Sequence, residues 1–399
     1  MTLPPSPVGA VAAPAQPVSD SPAMAGRSLH LLGAGQPPCG IGDFSRLLLD
    51  TLRETAPADH HALIVEAGAF RPAAAWAAIG RADAVVANFP VVAWKRALFG
   101  PLAVYALAKL RRRGCLTVLH EWAGLHRLRR FVLRPILLLS DTIFLVSPQV
   151  RAELAADPLV GFLTRRAALM PVPPNLSRPA GIADSPLRQR LLAARRAGRV
   201  VLGHFGSIYP GKQPEAVLDI AAALKARGES PLLVFIGSFI KASDGIEGVF
   251  HAKVAALGLE DAVVVSGYVA SAEELFGLFE TVDAFAYVLP EGLTARRASV
   301  LACVQAGRPV VVTAPMRADE FDHHPRYRAL LEAGAILPVP RGAPAQAYAE
   351  AVLGARARAT RAPDLDRAAW FRDAAACLAA RMPARVTARR RSSDSPRHG

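Results

Sequence analysis

The sequence lacks any run of about 18 uncharged apolar residues, so no helix in it is long and greasy enough to cross a bilayer. Its longest apolar stretch, Phe131 to Leu139, is interrupted by Arg134 and Pro135. Cysteine is scarce: Cys39, Cys115, Cys303 and Cys377 are scattered, and no two form a CxxC pair. That argues against a disulfide-stapled scaffold. Cys115 and Cys303 fall in or beside apolar runs and read as reduced core residues of a cytosolic protein. No His/Cys cluster has metal-site spacing, so no metal is expected, and the adjacent pair His323-His324 reads as a surface loop. Zinc-finger spacing and RNA-binding aromatic signatures are missing too, which puts nucleic acid last among partners. The first 26 residues lack a charged start before an apolar core, unlike a signal peptide. Their Pro, Ala and Ser content reads as a disordered tail.

Acidic charge is in deficit, with 33 Asp and Glu against 47 Lys and Arg in 399 residues, a net charge of +14. Such a balance suits an anionic ligand or an anionic membrane surface. At 52% hydrophobic residues, the chain is too apolar for disorder to dominate, and it is long enough for two α/β domains with sizeable cores.

Strands alternate with helices through both halves. Short apolar runs such as Ser28 to Gly33, Ala82 to Phe89, Leu232 to Ile236, Ala284 to Leu289 and Pro309 to Thr313 read as buried parallel strands. Clustered prolines in Met170 to Pro174 give a stiff extended linker. The expected division is a tail over 1–26, a first domain over 27–174 and a linker over 175–198. A second domain follows over 199–360, then a helix over 361–382 that crosses back to the first domain. The end, 383–399, is a disordered basic tail holding five arginines against one aspartate. The fold class is α/β, with two Rossmann-like doubly wound domains facing a central cleft.

Ligands in open α/β sheets bind at the carboxyl ends of strands, so the loops there come next. After Ala284 to Leu289 comes Pro290-Glu291-Gly292. Thr294 can then cap a helix over Ala295 to Ala306, with Arg296, Arg297 and Ser299 near its start. Free N–H groups at a helix start and two arginines make a seat for an anion. After Arg199 to Phe205 comes Gly206-Ser207 and then Lys212, a point charge suited to phosphate. It is not a Walker loop, because GxxxxGK[ST] is absent. In the first half, Gly40 and Gly42 precede a helix expected to begin at Asp43. Strand Leu116 to Leu119 runs straight into His120-Glu121.

These stretches resemble glycosyltransferase family 4, retaining nucleotide-sugar-dependent enzymes of the two-Rossmann-domain (GT-B) type. The likeness spans roughly Leu29 to Ile336, and its firmest motifs lie in the second half. There the family carries Glu-Gly, a helix, then Gly-x-Pro-Val-Val, as in Glu291-Gly292 and Gly307 to Val311. Its Gly-Arg-x-x-x-x-Lys loop matches Gly206 and Lys212, with Ser207 in place of the arginine. Its second glutamate, eight positions after the first, is Ser299 here.

The resemblance implies transfer of a sugar from a nucleotide sugar to an acceptor hydroxyl, with retention and without a metal or other cofactor. It implies that Gly206, Ser207 and Lys212, with Arg296 or Arg297, hold the donor diphosphate. Glu291 and Gly292 would lie at the donor sugar, and Ser299 at the ribose. Gly267, Tyr268 and Val269 would line the base pocket, and His120 would face the sugar from the other domain. Gly40 and Gly42 would shape the acceptor side. Expected partners are the donor and a glycan or lipid-linked acceptor, in polysaccharide or glycolipid biosynthesis. Two rival readings stand beside this one, given Ser207 and Ser299: a non-catalytic binding protein on the same scaffold, and a sugar-nucleotide epimerase.

One segment remains. GLHRLRRFVLRPILLL, from Gly124 to Leu139, fits both a core helix with snorkelling arginines and a basic amphipathic helix on anionic lipid. Lipid-linked acceptors, usual in the family, tip it toward a peripheral place on the inner face of the membrane.

Overall fold

The computed structural model describes residues 26–34, 39–66, 70–95, 98–240, 245–357 and 365–383. The expected tails over 1–26 and 383–399 therefore lie almost wholly outside the described residues.

The first half alternates strand and helix: β1 (Ser28–Gly33), α1 (Gly40–Thr55), β2 (His60–Val65), α2 (Pro72–Gly80), β3 (Ala84–Phe89), α3 (Phe99–Leu110), β4 (Gly114–Leu119), α4 (Arg127–Leu139), β5 (Thr142–Leu145), α5 (Pro148–Ala155) and β6 (Ala167–Leu169). These strands form one parallel sheet in the order β2-β1-β3-β4-β5-β6. The second half is α6 (Pro186–Arg196), β7 (Val200–Phe205), α7 (Pro214–Ala226), β8 (Pro231–Ile236), α8 (Ile246–Ala256), β9 (Val263–Val265), α9 (Ala272–Phe279), β10 (Ala284–Tyr287), α10 (Ala298–Gln305), β11 (Val310–Thr313), α11 (Pro325–Glu332), β12 (Ile336–Val339), α12 (Ala345–Arg356) and α13 (Arg367–Ala379). Its sheet is parallel in the order β12-β11-β10-β7-β8-β9.

Each sheet is apolar on both faces because helices cover both. Strands β3 and β8 are buried at every residue. Strand order reverses once in each sheet, between β1 and β3 and between β7 and β10. At such a point successive loops run to opposite faces and leave a crevice.

Three local expectations change. Helix α10 starts at Ala298, three residues later than the Thr294 cap predicts. The Thr294 hydroxyl has no hydrogen-bond partner, and Arg297 occupies the cap position without a side-chain bond. The N–H of Ala295 donates to Glu320 Oε1 at 3.0 Å. Helix α1 starts at Gly40 rather than Asp43, so Gly40 and Gly42 sit in its first turn, and Asp43 serves as the first-turn acid that favours a helix start. His324 is not on a surface loop: it is buried and its Nε2 donates to the Val172 carbonyl at 3.1 Å.

Helix α13 packs on both halves of the molecule. Asp366 caps it, accepting from the Ala369 N–H at 3.1 Å. Trp370 enters the core of the second half, while Phe371, Ala374 and Leu378 enter the core of the first. Phe371 meets Phe44 of α1 with ring centroids 5.9 Å apart. Phe371→Ala should therefore lower the unfolding free energy by roughly 3 kcal/mol or more, the scale of a buried Phe deletion. A urea titration would show it, and an unchanged midpoint would contradict this packing role.

Candidate functional site

The loops after β7 and β10 flank the switch point of the second sheet. Gly206 follows β7 with φ +127°, a backbone open to glycine. A Cβ there would collide with the Lys212 ammonium, which folds back over the glycine. Lys212 is half-buried, and among the described residues no carboxylate pairs with it. Desolvation and the neighbouring Arg297 push its ammonium down to about 8.

The loop from Pro290 to Arg297 is pinned from behind. Gly292 turns at φ +72°, where a Cβ would strike the Ala314 carbonyl. Leu293 donates its N–H to the Thr313 carbonyl at 3.0 Å, and Leu289 to the Thr313 hydroxyl at 2.9 Å. This leaves Glu291, Arg296 and Arg297 as the loop's charged groups. Arg297 pairs closely with Glu291. Arg296 Nη2 lies 3.8 Å from Glu291, and its Nη1 lies 3.9 Å from Glu121 of the first half. The Nε groups of both arginines are buried without partners. Three cations, Lys212, Arg296 and Arg297, face two carboxylates, Glu291 and Glu121.

Ser207 is exposed at the mouth of the β7 loop, and Ser299 lies half-buried beside Tyr287. A groove of about 290 Å³ opens next to them, with Phe205, Gly206, Ser207, Tyr268, Val269 and Leu275 on its walls. Gly267, at φ +75°, turns the chain into Tyr268, which is largely exposed. The structure thus brings together Gly206, Ser207, Tyr268 and Val269 in one groove, with Lys212, Glu291, Arg296 and Arg297 beside it.

From the first half, His120 caps the carboxyl end of β4. Its N–H donates to the Phe89 carbonyl at 2.8 Å, its Nε2 lies 3.1 Å from Asn88 Oδ1, and its ring meets Phe44 edge-on at 5.0 Å. Burial, and then Arg296, push the imidazole down to about 3, so it is neutral at physiological pH. A neutral ring that donates from Nε2 keeps an acceptor at Nδ1. Gly40 lies one turn before Phe44 in α1, and Gly42 two residues before it. The Gly40 carbonyl accepts from Asn175 Nδ2 at 2.8 Å, which ties it to the linker. Sequence reasoning gave Glu121 no role, although it directly follows His120. It missed Asn88 and Glu320 entirely, because nothing local marks them. Among the described residues, no group of three or more His, Cys, Asp or Glu could hold a metal ion.

No family model and no curated protein matches the chain. Solved structures do. HepE of Anabaena in complex with UDP aligns with a TM-score of 0.56 at 16% identity, covering 89% of this chain and 95% of that one. A glycosyltransferase from Rickettsia africae gives 0.54 at 12% identity, over 89% and 93%. Sucrose-phosphate synthase of Thermosynechococcus elongatus gives 0.52 at 16% identity, over 89% and 94%. The chain has the GT-B fold: two doubly wound parallel sheets in one polypeptide. At these identities the likeness is one of fold.

A lysine that is charged only below about pH 8 makes anion binding depend on pH. Pyrophosphate affinity in the native protein should fall about tenfold between pH 7 and pH 9 relative to Lys212→Arg, whose cation does not titrate there. Calorimetric titration of both proteins checks this, and parallel pH profiles would contradict it.

Proposed function

We propose that the chain is a glycosyltransferase that moves a hexose from a nucleotide sugar to an acceptor hydroxyl with retained configuration. The observation that carries this reading is the convergence of Lys212, Arg296 and Arg297 at the switch point beside the groove of Tyr268 and Val269. HepE structures contain UDP, UDP with glucose, and UDP-glucose. A uridine donor is accordingly the first choice here.

In this account residues 199–360 hold the donor and residues 27–174 the acceptor. The base enters the groove, and Ser299 meets the ribose with one hydrogen bond. As the C1–O bond breaks, negative charge grows on the departing diphosphate. Lys212 and Arg297 meet that charge, with Gly206 and Ser207 allowing close backbone approach. Glu291 takes the sugar hydroxyls once the donor competes for Arg297. His120, neutral, faces the sugar from the other side. The acceptor oxygen bonds to C1 and loses its proton to the leaving phosphate or to solvent. Bound cationic side chains supply what a metal supplies elsewhere, so the mechanism needs no cofactor.

Lys212→Ala and Glu291→Ala should each lower turnover by about 10²-fold or more, the scale of losing one preorganised charge contact. Transfer from UDP-sugars to a panel of glycan and lipid-linked acceptors measures it. Wild-type rates in both variants would remove the site assignment. Donor binding without turnover in the native protein would favour a binding role on the same scaffold, and a product formed without acceptor would favour an epimerase.

The setting we propose is polysaccharide or glycolipid assembly at a cytoplasmic membrane face. No helix among the described residues is long and apolar enough to cross a membrane. Yet Phe99, Leu128 and Phe131, at the starts of the adjacent helices α3 and α4, are 70%, 66% and 63% exposed. Exposed Arg71, Lys95 and Arg127 lie at helix starts and loops on the same rim of the sheet. Apolar side chains rimmed by cations suit an anionic lipid surface. The protein should float with vesicles containing phosphatidylglycerol and not with phosphatidylcholine alone. Leu128→Glu with Phe131→Glu should abolish flotation, and flotation that survives the pair would contradict this surface.

A further inference from the structure

Glu320 stands between the two halves of the molecule, and the mechanism above does not use it. It lies in the connection after β11, is only 1% exposed, and presents one carboxylate oxygen to each side. Oε1 accepts the N–H of Ala295, inside the loop that carries Glu291, Arg296 and Arg297. Oε2 accepts the N–H of Gln149 at 3.3 Å, in the first turn of α5 in the other half. Ser147, which caps α5 by accepting from the Val150 N–H at 3.2 Å, also hydrogen-bonds the carboxylate. A helix start is a favourable place for such a charge. Burial pushes the Glu320 carboxyl above its usual range, while its bonds to Ala295, Gln149 and Ser147 and the field of Arg296 oppose that rise.

Two residues after its bond to the loop, the chain reaches the Arg297–Glu291 pair, and between them Arg296 reaches toward Glu121 across the cleft. Nothing else among the described residues holds the Ala295 N–H. Thr294, the residue placed to cap the helix, leaves its hydroxyl unused. Thr313 holds the start of the loop from its own domain, while its Ala295 end is held by a carboxylate whose other oxygen is fixed by the opposite domain.

We infer that Glu320 is a positioning residue that couples the shape of the Pro290–Arg297 loop to the seating of helix α5, so that the donor loop is correctly formed only when the two domains are apposed. This inference rests on the proposed transfer reaction for its kinetic consequence, but its structural consequence does not depend on that reaction.

Glu320→Gln keeps the size of the side chain but sets an NH₂ group against one of the two N–H donors. Hydrogen exchange should then quicken together in segments 147–151 and 293–297, by about tenfold. Quickening in 293–297 alone would overturn the coupling, whether or not the protein is an enzyme. In the transfer assay, Glu320→Gln should lower kcat at least about tenfold, because the loop that carries Glu291, Arg296 and Arg297 loses its hold on the opposite domain. A kcat equal to that of the native protein in the folded variant would overturn the positioning role. Should Glu320→Gln not fold, Glu320→Asp keeps the charge and shortens the reach, and the same exchange and kcat criteria apply to it. A native protein with no transferase activity would sink the proposed function but leave the exchange result standing.

Discussion

Three cations held close together with too few counter-charges set the terms for the rest of the molecule. Desolvation, and then repulsion by Arg297, bring the Lys212 ammonium down to about 8. Such a cluster survives only on a rigid frame. The frame is the pair β7 and β10, whose parallel pairing at Leu202–Ala284 and Gly203–Phe285 brings two loops to the same edge of the sheet. Gly206 allows the lysine to fold inward, and Gly292 allows the arginine loop to turn. Clustered cations on a fixed frame attract an anion, and the proposed transfer reaction rests on that property.

The second constraint is the meeting of the two halves. Specific contacts join them: α13 against α1, Asn175 on Gly40, His324 on Val172, Arg296 on Glu121, and Glu320 on Gln149. Burial pushes His324 down to about 4, so its ring stays neutral and its contact is insensitive to physiological pH. The neutral state of His120 follows from the same burial, with Arg296 across the cleft adding to it. Both histidines serve as shaped, uncharged hydrogen-bonding groups where cations already abound.

Much of this was legible in the sequence. Strands Pro231–Ile236 and Val310–Thr313 appear where the apolar runs place them, because a strand buried on both faces needs an unbroken run. The loops with Gly206, Lys212, Glu291 and Arg297 could be found because glycine and charge at strand ends are local signals. What failed was governed by distant residues. Thr294 has the look of a cap, yet its neighbour Ala295 is held by Glu320, 25 positions further on, and the helix starts only at Ala298. Strand β6 is only Ala167–Leu169, too short to show a period. His323-His324 reads as loop because two adjacent polar rings rarely enter an interface, and here one of them does. Glu320 itself has no sequence signature at all: its meaning is a bond across 171 positions.

The most direct test is thermal melting of the protein against UDP, GDP, ADP and their sugars, with Lys212→Met beside it. A ligand that binds only the folded chain adds about 2.7 kcal/mol of stability at 100 times its Kd, a readily measured rise. The account predicts that the uridine series raises the melting temperature and that Lys212→Met abolishes the rise. No shift with any nucleotide, or an equal shift in Lys212→Met, would contradict a diphosphate site at the β7–β10 switch point.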